Sequence, residues 1–265
     1  MRALERVLPA ESFVYLGDHG NAPYGNRPSS DIYKLTLQGL ARLFGLGCSL
    51  VVIACNTAVA TGLRRLQQAW LPFVHPPRRV IGIIVPVVEA VTGVPWAVGN
   101  TSVPPSPGDQ PSHVAIFATR HTVQTGVFAT EIGKRAPSIR VSHQACPALA
   151  KLIDCGAPEH TIRQAVRMYV AELLDASIEI PDMCILGCTH YPLVEHIFAD
   201  ELPKGIRLLS QAELTAASLK LYLDRHPQFS SGIAARSRYL TTGDARHVSA
   251  LASRYYGRVV RFRSL

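Results

Sequence analysis

Short apolar runs alternate with helix-period segments along the whole 265-residue chain, and that alternation limits the fold more than any other feature. Strands separated by helices pair in parallel, because a parallel neighbour is reached only through a crossover long enough to hold a helix. Residues 13–16, 49–54 and 80–85 read as strands, with helical spacing over 32–44 and 58–70. A second series has strands at 113–118, 139–141 and 183–186, and helical spacing at 123–134, 148–154, 159–174 and from Leu193 onward. The last region offers a helix over 212–223, a strand at 239–241, a helix from Val248 and a strand over 259–262. Residues 93–111, rich in Pro, Gly and Ser, read as a connecting loop.

Two of the strands end alike. Residues 49–54 run into Cys55-Asn56-Thr57, and residues 183–186 run into Gly187-Cys188-Thr189-His190, each followed by a helical segment. This weak internal repeat suggests two α/β domains related by approximate symmetry. The first takes residues 1–84 and 211–265 and carries Cys55; the second takes 85–210 and carries Cys188. Ligands of open α/β sheets bind beyond the carboxyl ends of the strands, so both cysteines stand where a site is expected.

With 48% hydrophobic residues the chain can bury a substantial core. The run from Val80 to Val88 is broken by Gly82 and Pro86 and falls short of the ~20 residues of a membrane span. Glu5 and Pro9 interrupt the stretch where a secretory signal needs apolar residues, so a cytoplasmic protein is expected. Six cysteines are too sparse for a disulfide scaffold, and free thiols follow. The formal charge of +8 is spread over short groups such as Arg64-Arg65 and Arg78-Arg79. These lack the aromatic interleaving of a nucleic-acid surface and read as a solvated basic face.

Inverting an amino acid at Cα requires a proton removed from one face and another returned to the opposite face. Two opposed acid/base groups do this most simply. Cys55 and Cys188 each precede a helical segment whose positive end favours a thiolate. The free N–H groups there, with the hydroxyls of Thr57 and Thr189, can hold an α-carboxylate. Thr119 and Thr122, just beyond the 113–118 strand, are candidates to line the same site. A buried structural thiol is the plain alternative for any one cysteine, and Cys48, Cys146, Cys155 and Cys184 read that way. Cys184, Cys188 and His190 together suggest metal ligands, but the spacing is unlike a zinc ribbon and Cys184 lies inside a strand, so no metal is expected. A Cys-His hydrolase pair is a further possibility that leaves the second cysteine motif unexplained. Asp18, His19 and Asp244 sit near strand ends, where turn chemistry accounts for them as well as catalysis does.

Leu16-Gly-Asp-His-Gly-Asn-Ala-Pro-Tyr-Gly25, Ala54-Cys-Asn-Thr57 and Leu186-Gly-Cys-Thr-His-Tyr-Pro192 resemble, in order, the three signature segments of the glutamate racemases. Ala118-Thr-Arg-His-Thr122, Gln144-Ala-Cys-Pro147 and Thr241-Thr-Gly-Asp244 extend the resemblance over nearly the whole chain. It implies two pseudo-symmetric parallel-sheet domains of the aspartate/glutamate racemase type with the site between them. The implied activity is interconversion of L- and D-glutamate, supplying D-glutamate for peptidoglycan, without pyridoxal phosphate, metal or other cofactor. By the same resemblance Cys188 and Cys55 are the catalytic thiols for the L- and D-isomers respectively. His190 assists Cys188, and Tyr24, Gly25, Asn56, Thr57, Thr189 and His190 bind substrate. Asp154 stands where family members usually carry a glutamate that contacts the substrate amino group, and Ser210 where an aspartate is common. A homodimer is compatible with the resemblance.

Family members open with a strand and an Asp-Ser-Gly-Gly loop that binds substrate and assists the first cysteine, whereas this chain begins at what resembles the end of the following helix. A poorly active enzyme is therefore expected. Two other functions stay open: a racemase-like binding or regulatory protein, and a racemase for aspartate or another small acidic amino acid.

Overall fold

The computed structural model describes residues 1–95, 110–233 and 237–265; most of the connecting stretch read over 93–111 lies outside them. Along the chain run α1 (Arg2–Val7), β1 (Val14–Gly17), α2 (Ser29–Gly45), β2 (Leu50–Ile53), α3 (Asn56–Arg65), α4 (Leu71–Val74), β3 (Arg79–Gly82) and α5 (Ile84–Thr92). Then come β4 (His113–Ala118), α6 (Arg120–Thr125), α7 (Val127–Gly133), β5 (Arg140–Ala145), α8 (Leu149–Asp154), α9 (Glu159–Asp175), β6 (Met183–Gly187), α10 (Glu195–Glu201) and β7 (Arg207–Leu209). Last are α11 (Gln211–Arg225), β8 (Arg238–Thr241), α12 (Ala245–Tyr256) and β9 (Phe262–Ser264). All strand pairs among the described residues are parallel, as expected of an α/β chain.

The four-stranded sheet, in the order β5-β4-β6-β7, is covered on both faces. The two-residue period of a strand sends Ala115, Phe117, Cys184 and Leu186 to one side, against Ile162, Val166 and Tyr169 of α9. Val114, Ile116, Met183 and Ile185 go to the other side, against Val87, Phe128 and Ile132. A strand buried on both faces loses its polar alternation, which is why residues 113–118 read as a near-continuous apolar run.

On the other side of the molecule β2 sends Val51 and Ile53 to Ile32, Phe44 and Leu63 of α2 and α3. Leu50 and Val52 face Leu219 and Leu223 of α11, with Leu8 beside them. Here the hydrogen-bonded ladder is in two pieces, a three-stranded sheet β1-β8-β9 and a two-stranded sheet β2-β3.

Several elements differ from their sequence reading. The strand expected over 80–85 ends at Gly82, because Pro86 lies in the first turn of α5, where its missing N–H costs nothing. The helix expected over 123–134 is broken at Gly126, whose φ of +60° is left-handed. The last strand is displaced from 259–262 to Phe262–Ser264. Among the described residues no helix is long and apolar enough to cross a membrane.

Candidate active site

Cys55 leaves the carboxyl end of β2 in extended conformation and is the N-cap residue of α3. Backbone N–H groups of Ala58 and Thr57 and the Thr57 hydroxyl approach its sulfur, as the helix-end argument requires. Their effect does not prevail. Burial pushes the Cys55 thiol up to about 11, with the nearby Cys188 adding to the rise, so the expectation of a thiol lowered by its helix end is corrected for Cys55.

Cys188 leaves the carboxyl end of β6 and is buried. The segment after it is a 3-10 turn, Tyr191–Val194, and α10 starts only at Glu195, so no α-helix end serves this sulfur. An imidazole does. Cys188 Sγ lies 3.6 Å from His190 Nδ1, and His190 Nε2 lies 2.9 Å from Asp154 Oδ1 at the end of α8. Burial alone would lower the imidazole, but the Asp154 carboxylate, followed by Cys188, outweighs it and raises His190 to about 10. At neutral pH His190 is therefore an imidazolium held between the Asp154 carboxyl group and the Cys188 sulfur.

Three hydroxyls join the two halves. Thr57 Oγ1 lies 3.0 Å from Thr119 Oγ1 and 3.2 Å from Thr122 Oγ1, and the last two are 3.1 Å apart. Thr119 also caps α6 by accepting from the Thr122 N–H. Gly25 packs against this cluster: a Cβ there would stand 2.6 Å from Thr119 Cβ. The neighbouring Tyr24 hydroxyl donates to Asp18 Oδ2 at 2.5 Å, and Asp18 also accepts from Thr242 Oγ1 at 2.6 Å and Asn21 Nδ2 at 2.9 Å. Burial works to raise Asp18, yet these hydrogen bonds, led by that of Thr242, hold its carboxyl below the ordinary range.

The pattern that describes Asp/Glu/hydantoin racemases matches residues 2–219. A glutamate racemase of Phenylobacterium zucineum is 41% identical over 265 residues, covering 98% of this chain and 93% of that one. One from Roseobacter denitrificans is 42% identical over 260 residues, with coverage of 98% and 93%. The chain belongs to the Asp/Glu/hydantoin racemase family. Its fold is that of a glutamate racemase isoform from Bacillus anthracis, which superposes with a TM-score of 0.84 at 27% identity, covering 100% of this chain and 91% of that one.

Within this racemase fold the candidate residues separate by what they touch. Cys188 adds to the rise of the Cys55 thiol, Thr57, Thr119 and Thr122 form one cluster, and His190 and Asp154 form one pair. Thr189 is exposed beside Cys188. Asn56 is 2% exposed, and its side-chain amide is bonded to Gln211. Cys184 is buried in β6, and among the described residues no three His, Cys, Asp or Glu side chains group as a metal site. Asp244 caps α12 by accepting from the N–H groups of Arg246 and His247, the turn role anticipated for it.

Two neighbours, Tyr15 and Gln211, escaped sequence reasoning, and a third, His19, was left open between a turn role and catalysis. Tyr15 on β1 is pushed up to about 12 by burial, with Asp154 and then Cys55 adding to the rise. His19 lies over Gly17, where a Cβ would stand 2.0 Å from its Cε1, and its Nδ1 is 2.9 Å from Thr241 Oγ1. Burial lowers the His19 imidazole, while the field of Asp154 opposes that. Gln211 pairs with Asn56. The available signal for His19 was position, just past the carboxyl end of β1; Tyr15, the second residue of β1, carried none.

Proposed function

We propose that this chain interconverts L- and D-glutamate by two opposed thiols, Cys55 and Cys188, supplying D-glutamate for peptidoglycan. The observation that carries the reading is the placement of two cysteines at the carboxyl ends of strands from different parallel sheets, with Cys188 near enough to Cys55 to add to the rise of its thiol. Full-length similarity to proteins named glutamate racemases supports the choice of substrate. Residues 1–84 with 211–265 act as one α/β domain and 85–210 as the other, with substrate between them.

The protonation pattern suits the L-to-D direction. Cys55, raised to about 11, carries its proton at neutral pH and is ready to donate. The His190 imidazole beside Cys188 holds the proton that Cys188 gives up, so the pair acts as thiolate and imidazolium. As a thiolate Cys188 takes the Cα proton of L-glutamate while Cys55 protonates the opposite face, leaving Cys188 protonated and Cys55 ionised. The reverse reaction restores the starting state. The hydroxyls of Thr57, Thr119 and Thr122, with free N–H groups at the start of α3, form a donor cluster suited to a carboxylate. Tyr24, Gly25, Asn56, Thr189, His190 and Asp154 complete the substrate contacts; Asn56 contributes through its backbone, since its side chain is engaged.

Optical rotation of L-glutamate incubated with the purified chain tests this. Decay to zero rotation is expected, with loss of racemisation in both Cys55→Ser and Cys188→Ser because each turnover uses both thiols. A single variant that racemises near the parent rate would make that cysteine structural and end the two-thiol reading.

A further inference from the structure

The first turn of α3 holds a second buried group besides Cys55. Asn56 and Gln211, the first residue of α11, are each only 2% exposed. Their side-chain amides pair reciprocally: Asn56 Nδ2 donates to Gln211 Oε1 at 2.6 Å, and Gln211 Nε2 donates to Asn56 Oδ1 at 3.0 Å. A primary amide has both donors and an acceptor to satisfy, and a buried one whose partner is removed keeps the full desolvation cost. Neither helix has a side-chain cap of its own, since Cys55 and Ser210 make no capping hydrogen bond. The amide pair is thus a direct side-chain link between two helix starts, one of which carries the N–H groups that approach Cys55 Sγ.

We propose that Gln211 is a positioning residue for the Cys55 half of the site. By saturating Asn56 it keeps that amide out of the reaction space, and by anchoring the first turn of α3 it aims Cys55 Sγ at one face of Cα. The inference rests on the two-thiol reading and assigns a task to a residue outside the motifs. Among the described residues no side-chain hydrogen bond links Gln211 to Cys188, whose partners are His190 and, through it, Asp154; the nearest route is through the backbone, from β7 to β6. Loss of the Gln211 amide is therefore expected to act mainly on Cys55.

The two thiols can be read separately with β-chloroglutamate, because elimination of HCl needs only the first proton abstraction: the Cα–H bond breaks to the thiolate and chloride leaves with its electron pair from Cβ. Chloride release from the D-isomer reports Cys55, and release from the L-isomer reports Cys188. In the full chain, Gln211→Met, which keeps length without the amide, is expected to slow release from the D-isomer by ~10-fold or more, the scale of a misplaced catalytic group, and from the L-isomer by less than about 2-fold. Equal slowing of both isomers, or of neither, overturns the proposal. Cys55→Ser is the control and should release chloride from the L-isomer only. If it releases chloride from both, or the parent from neither, the two-thiol reading fails first; a sound control with a symmetric Gln211→Met defect rejects the Gln211 assignment alone. Should Gln211→Met not fold, Gln211→Leu carries the same expectation, and failure of both to fold makes the pair a folding element and rejects the positioning role.

Discussion

Cys55 and Cys188 have unlike partners. Cys188 has the His190 imidazolium, itself held by Asp154, while Cys55 has backbone N–H groups and the Thr57 hydroxyl. Removing the Asp154 charge should release His190. In Asp154→Asn the imidazole should titrate well below the parent's value of about 10, as read from its ring-proton NMR shifts against pH. A histidine raised on folding contributes stability that is full below its unfolded value and lost as pH climbs through its folded one. The parent should therefore lose unfolding free energy between pH 6.5 and 10 relative to Asp154→Asn, measured by denaturant titration at each pH. A His190 titration unchanged by the variant would disprove the pairing. At this scale the thiols, the threonines and His190 were legible as motifs, because each lies within a few residues of a strand end. The bond from Asp154 to His190 joins residues far apart in sequence and leaves no local pattern. The raised Cys55 thiol was missed because helix position is visible in a sequence and burial is not.

Helix boundaries followed local chemistry where that chemistry was strong. α2 extends three residues before and one after the segment read from its spacing, and α9 only one residue past its own, since each buries one stripe of apolar side chains along its length. The segment from Val123 to Lys134 kept its apolar period but is broken by Gly126, which turns left-handed between α6 and α7. Because that conformation costs other residues about 1–2 kcal/mol, Gly126→Ala should lower the unfolding free energy by that amount, seen as a lower urea midpoint with an unchanged denaturant slope. A midpoint equal to the parent's would mean that the turn relaxes freely. β7 was invisible, since three residues are too few to display a period, and α1 was anticipated only through the family resemblance, as the end of a helix. The long β4 ran true at both ends because it is buried on both faces.

Across the whole molecule the two sides are built to different strengths. The sheet that delivers Cys188 has four strands with hydrophobic clusters on both faces, whereas Cys55 issues from the two-stranded β2-β3 ladder, separate from β1-β8-β9. Two strands are marginal by themselves and depend on the helices packed over them, here α2, α3 and α11. Hydrogen–deuterium exchange read by mass spectrometry should find the amides of β4 and β6 slowest, and those of β2 and β3 faster by at least ~10-fold, the difference expected when a small unit opens below the global unfolding free energy. Equal protection of the two sheets would refute this. With that outcome the divided ladder would give the molecule two clocks, the thiol that follows β2 keeping the faster one: each brief opening that lets deuterium into that ladder would also disperse the groups around Cys55, while Cys188 and His190 stay assembled.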